Sequence, residues 1–332
     1  MLKLLKLPHR RQFLLLAAGA AVLPGLPRIA QAQAYPSRPV RIIVPFAAGG
    51  GSDVVARLIG QKLSERLGKQ FFVENIGGAG GNIGTGRGAR AGADGYTLVL
   101  VSSHFVTNPI LFDAVPYDPI KDFDPVTLPV SNPIMITVNP SLPVQTVKDL
   151  VALIRANPGK YTHALSGTGN RNHLTAELFK QSLKLDLVNV PFNGGGLAIL
   201  SVLAGHTPVL FSSPSLVVQH VKEGKLRALA IMTNVRSQIL PDVPTMAEAG
   251  YPGIEGEEWY GVVAPAGTPK DIIALLNREI VWIMAQPDIR QHLVTLGFDL
   301  VPATTPEAFA ARIKAEAEQW GNVIRAANLR SR

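Results

Sequence analysis

The sequence predicts a two-lobed α/β protein, each lobe a mostly parallel sheet flanked by helices, with a two-strand hinge between the lobes. Three observations carry this. Short β-branched runs alternate with stretches of helical spacing from residue 40 to 101, and again from 134 to 232, the pattern of strands covered on both faces by helices. Between them lie Pro109, Pro116, Pro119, Pro125, Pro129 and Pro133, which a continuous helix or a central strand does not accommodate. The chain then returns through Trp259-Tyr260-Gly261-Val262-Val263-Ala264 to three more helices. The second alternation has no place for these, so they pack back on the first lobe. The lobes are therefore 35–133 with 258–332, and 134–257.

Residues 1–34 read as an export signal. Lys3, Lys6, Arg10 and Arg11 come without an acid, 13–26 is apolar but broken by Gly19, Pro24 and Gly25, and Ala30-Gln31-Ala32 and Ala32-Gln33-Ala34 offer small-x-small cleavage patterns near 32–34. The apolar run falls short of the ~20 residues of a membrane span. Arg10-Arg11 before Gln12-Phe13-Leu14 partly resembles a twin-arginine signal, with Sec export the alternative. This leader holds five of the 32 Lys and Arg residues and none of the 24 acids, so 27 basic residues face 24 acidic ones, a net charge of +3. Nucleic-acid binding is not indicated. The absence of cysteine excludes disulfides, thiolate nucleophiles and cysteine-based zinc sites. A hydrophobic content of 47% fills two cores.

In the first lobe a strand over 40–44 runs into PFAAGGGSD (45–53) and then a helix carrying Val54, Val55, Leu58, Ile59, Leu63 and Leu67. Three glycines, Gly49 to Gly51, let the backbone approach a ligand closely. Ser52 is the expected N-cap, and Asp53 suits the positive end of the helix dipole. With no lysine or arginine, the loop is suited to hold a carboxylate through peptide dipoles. Strands over 70–74 and 96–101 follow, the latter after GGAGGNIGTGRG (77–88). The second lobe reads as strands over 134–138, 161–165, 187–190, 209–211 and 226–232, alternating with helices over 147–156, 172–183, 197–204 and 216–223. The final helices span 270–285, 288–296 and 307–327, the last with the stripe Phe309, Ile313, Trp320 and Ile324. Two second-lobe strands end in loops like the first: Ser166-Gly167-Thr168-Gly169-Asn170-Arg171-Asn172-His173, and Pro191-Phe192-Asn193-Gly194-Gly195-Gly196. Such loops gather at the carboxyl ends of strands, so three of them predict an anion-binding cleft between the lobes.

PFAAGGGSD, ENIGGAGGNIG (74–84), DGYTLVL (94–100), GKLRALA (224–230), LPDVPTMAEAG (240–250) and APAGTP (264–269) resemble, in this order, the Bug or tripartite tricarboxylate transporter family of periplasmic solute-binding proteins. The similarity runs from about Tyr35 to the last helix. It implies a Venus flytrap located in the periplasm. Its cleft would bind a small carboxylate, a di- or tricarboxylate or an aromatic acid, through main-chain amides, hydroxyls and water. It also implies delivery to integral-membrane transporter subunits or a periplasmic sensor domain, with no cofactor and a monomeric state. Carried over by position, the ligand-binding residues are Phe46, Ala48, Gly49, Ser52 and Asp53 in the first loop, and Ser102 and Ser103 after strand 96–101. The second lobe adds Ser166, Thr168, Gly169 and Asn170, then Asn193, Gly194 and Gly195. Asn193 departs from the family's usual Lys-Gly-Gly, Ser212-Ser213 stand where an aspartate is frequent, and Arg171 is an added charge. If Arg171 faces the cleft it pairs with a distal carboxylate; otherwise it is a solvated arginine at a helix start. Losing an acid while gaining Arg171 argues against a ligand with an ammonium group.

The alternative is an exported α/β hydrolase-like enzyme using the same cleft, with His173 or Asp53 as base. The residues give it little. The histidines His9, His104, His163, His173, His206, His220 and His292 show no metal-binding spacing, and there is neither a G-x-S-x-G elbow nor a G-x-x-x-x-G-K-[ST] loop. Gly86-Arg87-Gly88 lacks the strand and third glycine of a dinucleotide site. His173 is expected to be a packed or capping residue. Trp259 and Tyr260 are expected in the core, with a stacking wall for an aromatic acid as the other reading.

Overall fold

The computed structural model of the chain describes residues 35–167, 169–192 and 195–329. The predicted leader and, in the site loops, Thr168, Asn193 and Gly194 lie outside the described residues. Arg38–Arg332 is a compact body by itself. Its strands are Val40–Val44 (β1), Phe71–Asn75 (β2), Thr97–Ser102 (β3), Phe123–Pro133 (β4), Met135–Val138 (β5), Thr162–Leu165 (β6), Val188–Pro191 (β7), Val209–Ser212 (β8), Arg227–Ile231 (β9), Glu257–Pro265 (β10) and Asp299–Leu300 (β11). They form two sheets, ordered β11-β4-β10-β3-β1-β2 and β7-β6-β8-β5-β9. In the first, β1, β2 and β3 are parallel, and antiparallel β10 lies between β3 and β4. In the second, β6, β7 and β8 are parallel, and antiparallel β5 lies between β8 and β9. Each mostly parallel sheet thus receives, as an interior antiparallel strand, the one that has just crossed from the other sheet. The two crossings are tied to each other: Ile134 N donates to Gly256 O (3.2 Å), Met232 N to Ile134 O (2.7 Å) and Gly256 N to Met232 O (2.7 Å).

The helices are Gly51–Leu67 (α1), Asn82–Ala89 (α2), His104–Leu111 (α3), Val147–Ala156 (α4), Arg171–Leu183 (α5), Gly195–Leu203 (α6), Pro214–Lys222 (α7), Lys270–Met284 (α8), Pro287–Thr295 (α9) and Pro306–Ala326 (α10). Strand pleating sorts side chains to opposite layers. On β5, Ile136 and Val138 join Leu150, Ile154, Phe179 and Phe211, while Met135 joins Ala198, Val202, Leu210 and Val217 on the other face. The first sheet packs Ile43, Val99, Val101, Leu128 and Trp259 against Phe105, Phe309 and Ile313. Each such side chain contributes roughly 1.5–3 kcal/mol by leaving water.

The proline-rich stretch is more regular than expected. Pro109 lies inside α3, where its ring nitrogen has no hydrogen for the carbonyl four residues back. That carbonyl, Phe105 O, accepts instead from the Tyr117 hydroxyl at 3.2 Å. Pro125, Pro129 and Pro133 all lie within β4, an interior strand in order. The neighbour on its outer side, β11, has only two residues, paired with Val130 and Ser131, so most of that side of β4 demands no N–H. Toward β10 the register shifts between Tyr260 and Val263, which faces Pro125, so Pro125 and Pro129 fall at the irregularity, while Pro133 lies at the end of the strand opposite Glu257.

Helix α10 ties the parts together. The predicted stripe of Phe309, Ile313, Trp320 and Ile324 is buried, and Glu316 is buried in its midst. Glu316 accepts from Trp259 Nε1 on β10 (2.9 and 3.0 Å), from Arg312 Nε (3.0 Å) and from Arg171 Nη2 at the start of α5 (3.1 Å). Below it, Leu111 of α3 and Leu174 of α5 meet Trp320, Val323 and Ile324. Removing one partner of a buried ion pair leaves the others uncompensated. Glu316→Ala is therefore expected to cost about 3–5 kcal/mol, read as a fall in the urea midpoint. A loss under about 1 kcal/mol, the scale of an exposed pair, would show that the network holds nothing in place.

Candidate functional site

The first loop is shaped from within. Helix α1 starts two residues earlier than expected, with Gly50 as N-cap and no side-chain cap, so Ser52 is the second helical residue and not the cap. Gly49 takes φ +86°, a conformation that a side chain disfavours. Asp53, the third helical residue, supplies the missing acceptor. Its Oδ2 receives Gly49 N (2.9 Å) and Arg57 Nε (2.9 Å), and its Oδ1 receives Asn75 Nδ2 (2.9 Å). The Arg57 bond, with those from Gly49 and Asn75, outweighs burial and holds the Asp53 carboxyl down to about 2. Both Asp53 oxygens are thus engaged inside the loop. Ala48 and Gly49 are exposed, and the first-turn amides of Gly51 and Ser52 lie beyond the reach of intrahelical carbonyls. Phe46 is half-buried, meets the His104 ring edge-on at 5.9 Å, and gives its carbonyl to Asn75 Nδ2 at 3.1 Å.

Phe46, Ser102 and His104 line a shallow recess with Pro45, Gly80, Gly81 and Asn108. A second recess, between α8, β4 and the segment after β11, contains none of the predicted residues. The Ser102 hydroxyl is 3.3 Å from His104 Nδ1. Ser103 is more constrained: its N–H and hydroxyl both donate to Glu258 Oε1, at 2.9 and 2.7 Å, and its carbonyl accepts from Arg171 Nη2 at 3.4 Å. Glu258 was not foreseen. Trp259 and Tyr260 divide as neighbours on a strand must: Trp259 is wholly buried against α10, while Tyr260 faces α1. A Cβ on Gly51 would lie 2.8 Å from the Tyr260 hydroxyl and 3.3 Å from Phe298. Burial, reinforced by the charge of Glu258, pushes the Tyr260 hydroxyl pKa up.

From the second sheet, the loop after β6 is braced by its own helix. Asn170 caps α5, its Oδ1 accepting from His173 N at 3.0 Å, and Gly169 N, at φ +78°, donates to His173 Nδ1 at 3.0 Å. The Ser166 hydroxyl accepts from Asn172 Nδ2 (3.3 Å) and Asn170 Nδ2 (3.5 Å). Because Nδ1 of His173 accepts, its proton is on Nε2, which faces Glu177 Oε1 at 3.5 Å. Burial opposes charge on Glu177, but bonds from His173, Lys180 and Asn189 prevail and take its carboxyl to about 2. Burial holds neighbouring His163 to about 4, hence neutral, with its Nε2 2.8 Å from Asn189 Oδ1. Arg171 is not solvated: it is 3% exposed, its Nη2 donates to Glu316, its guanidinium lies 4.3 Å over the Trp320 ring, and its Nε and Nη1 are buried with no hydrogen-bond partner among the described residues. Gly195 opens α6 beside Leu216. The loops after β1 and β3 and the loop after β6 thus share the seam crossed by Arg171.

A family model described as the tripartite tricarboxylate transporter family receptor matches residues 55–329. The chain belongs to this family. Its members are periplasmic substrate-binding receptors and not enzymes, and the two-lobed α/β fold agrees with theirs. The protein BugT of Bordetella pertussis is 37% identical over 303 residues, covering 91% of this chain and 93% of that one. Among solved structures, an R. palustris protein with adipate is 32% identical at a TM-score of 0.72, covering 89% of this chain and 98% of its own. MatC from Rhodopseudomonas palustris with bound malate is 34% identical at a TM-score of 0.68, covering 87% and 100%.

What sequence reasoning missed around these loops is the supporting set of Asn75, Arg57, His104, Glu258 and Phe298. Period-two reading of Glu257-Glu258-Trp259-Tyr260 separates Glu258 and Tyr260 from the core face once Trp259 is placed inside; Phe298 carries no such signal. The depressed Asp53 carboxyl has a pH consequence. Its folded value lies below its ordinary 3.8, so its stabilisation is fully present above that value and lost as pH falls toward about 2. The stability gap between wild type and Asp53→Asn is expected to stay constant from about pH 7 to 5 and to close between about 4 and 2, as followed by denaturant unfolding. A gap unchanged at pH 2 would place the aspartate's contribution elsewhere.

Proposed function

We propose that the chain captures a small carboxylate, a di- or tricarboxylate or an aromatic acid, in a cleft between lobes 35–133 with 258–332 and 134–257. It then closes on the ligand and presents it to integral-membrane transporter subunits or a sensor domain, acting as a monomer after export. The observation that carries this reading is the first loop. An internal carboxylate fixes it by taking the Gly49 N–H, and an internal arginine neutralises that carboxylate, while exposed Ala48 and the first-turn amides of α1 remain for an external anion. The proposed contacts are Phe46, Ala48, Gly49 and Ser52 with Ser102 from the first lobe. Ser166, Thr168, Gly169, Asn170, Asn193, Gly194 and Gly195 come from the second, while Asp53, Ser103 and Arg171 shape the walls. Adipate and malate in the solved relatives support the ligand class. An anion held by helix N-termini of both lobes stabilises the closed arrangement over the open one, and that difference in affinity drives closure.

A thermal-shift screen against mono-, di- and tricarboxylates, aromatic acids and acidic amino acids tests this. A ligand at about 100 times its Kd stabilises the fold by ~2.7 kcal/mol and moves the melting temperature by several degrees. Gly49→Val, which forces a β-branched residue into φ +86°, is expected to remove the shift while the protein still melts cooperatively. A folded wild type flat to every acid would sink the reading, and an undiminished shift in Gly49→Val would move the site from this loop.

His173 supports the second wall without touching the ligand. His173→Asn keeps an acceptor near the place of Nδ1 and is expected to retain affinity. His173→Leu leaves Gly169 N unpaired, for an affinity loss of about tenfold. Equal affinity of the two in a calorimetric titration would show that the brace is dispensable.

A further inference from the structure

The first loop keeps no cation for a ligand, since Arg57 is given to Asp53. A group that can acquire one lies beside it: His104, the first residue of α3. The His104 ring meets the Phe46 ring edge-on at 5.9 Å, and the two line the shallow recess together with Pro45 and Ser102. Pro45 and Phe46 open the glycine loop, so this recess is walled by the loop itself. Both polar contacts of the imidazole are made by Nδ1, with the Ser102 hydroxyl at 3.3 Å and Glu258 Oε2 at 3.8 Å. That leaves Nε2 unengaged among the described residues, on a side chain that is 28% exposed. Asn108 and Tyr117 also line the recess but are occupied: Asn108 Nδ2 donates to Gly80 O and Asn82 Oδ1, and the Tyr117 hydroxyl donates to Phe105 O.

A neutral imidazole carries one N–H and a protonated one carries two. Protonation therefore supplies a donor on each side at once: Nδ1–H toward Ser102 and Glu258, and Nε2–H for an external anion. The charged groups on the other elements packed against α3 have partners or fixed charge. Glu316 and Arg312 of α10 bind each other, and Arg87 of α2 faces Glu74. Arg171 of α5 reaches Glu316 and the Ser103 carbonyl, with Nε and Nη1 buried and unpartnered. Its guanidinium stays charged at every working pH, so it cancels from any comparison across pH. Glu258 of β10 is the carboxylate that faces the ring. Histidine is the side chain that ordinarily changes charge between about pH 5 and 8.

We propose that His104 is a ligand-binding residue of the first wall: its Nε2 donates to a carboxylate of the ligand in the recess beside Phe46 and Ser102, and the ring takes up a proton from solvent as that carboxylate binds. This rests on the carboxylate reading above and adds to it a residue and a pH dependence. The charged ring then stands between two anions, Glu258 on its Nδ1 side and the ligand on its Nε2 side, and is attracted by both. A ligand that favours the proton is favoured by the proton to the same factor. Capture therefore strengthens as the medium acidifies, over a range in which carboxylates stay largely ionised.

The test is calorimetric titration of the purified protein with malate, adipate and benzoate at about pH 8 and about pH 6, each in two buffers of different ionisation enthalpy. Wild type is expected to bind its ligand about tenfold more tightly at the lower pH, and the difference between buffers is expected to report proton uptake on binding. His104→Gln offers a donor that cannot charge, and is expected to lose both the pH dependence and the uptake while melting cooperatively. Proton uptake by wild type needs no variant, so a misfolded His104→Gln leaves that arm of the test intact. Binding by wild type with equal affinity at both pH values and no uptake overturns this inference and leaves the carboxylate reading standing. Uptake that persists in folded His104→Gln, as from His173 in the second wall, overturns it equally. Failure of every acid to bind wild type at either pH overturns both.

Discussion

The buried carboxylate of Glu316 is the constraint on which the rest of the arrangement hangs. It lies in the apolar stripe of α10, where an ionised group persists only if its oxygens are fully engaged. They are engaged by three residues from three places: Trp259 on the returning hinge strand, Arg312 one turn back, and Arg171 at the first position of α5. Replacing such a network by apolar side chains is often neutral for stability, so its importance here is geometric. One carboxylate fixes the last helix, the hinge strand and the second-lobe helix relative to each other. Because Arg171 immediately follows the capping residue Asn170, the same contact sets where the loop after β6 is presented.

The first loop obeys the same rule at smaller scale. Asp53 draws Gly49 N, Asn75 and Arg57 onto itself, and so spends its charge on shape. An uncompensated aspartate at the mouth of an anion site would repel the proposed ligand; Arg57 on the next helical turn removes that conflict. In the proposed function recognition then falls to peptide dipoles, whose strength is modest but whose direction is fixed before the ligand arrives. His173 does for the second loop what Asp53 does for the first, accepting a glycine amide four residues earlier in the chain.

Much of this fold was legible because periodicity reports on layers. The helix over 147–156 was read to its ends, and the stripe of the last helix is the one that is buried. The illegible parts share a cause: the sequence shows a residue's type and not the partner that changes its behaviour. Nothing in the sequence singles out Glu316, and only the three donors that surround it show its role. Arg171 reads as a surface or ligand-facing cation, and the sequence does not show that Glu316 and the Trp320 ring bury it. The prolines of β4 read as strand breakers because the shortness of β11, which excuses them, is a property of the sheet. Ser52 reads as a cap because nothing local shows that Asp53 reaches back past Gly50.

The hinge strand joins these themes. Along Glu257-Glu258-Trp259-Tyr260 the pleat sends alternate side chains to opposite sides. Glu257 and Trp259 bind Arg312 and Glu316, which hold the lobes; Glu258 and Tyr260 meet Ser103 and Gly51, at the proposed ligand wall. Ser103 lies between the two sets, its N–H and hydroxyl given to Glu258 and its carbonyl taken by Arg171 from across the seam. In the proposed closure, a rotation of β10 about the crossings at Ile134 and Gly256 would move both faces at once. The proposed ligand contact and closure then need no separate relay, because residues one position apart on a single strand serve both.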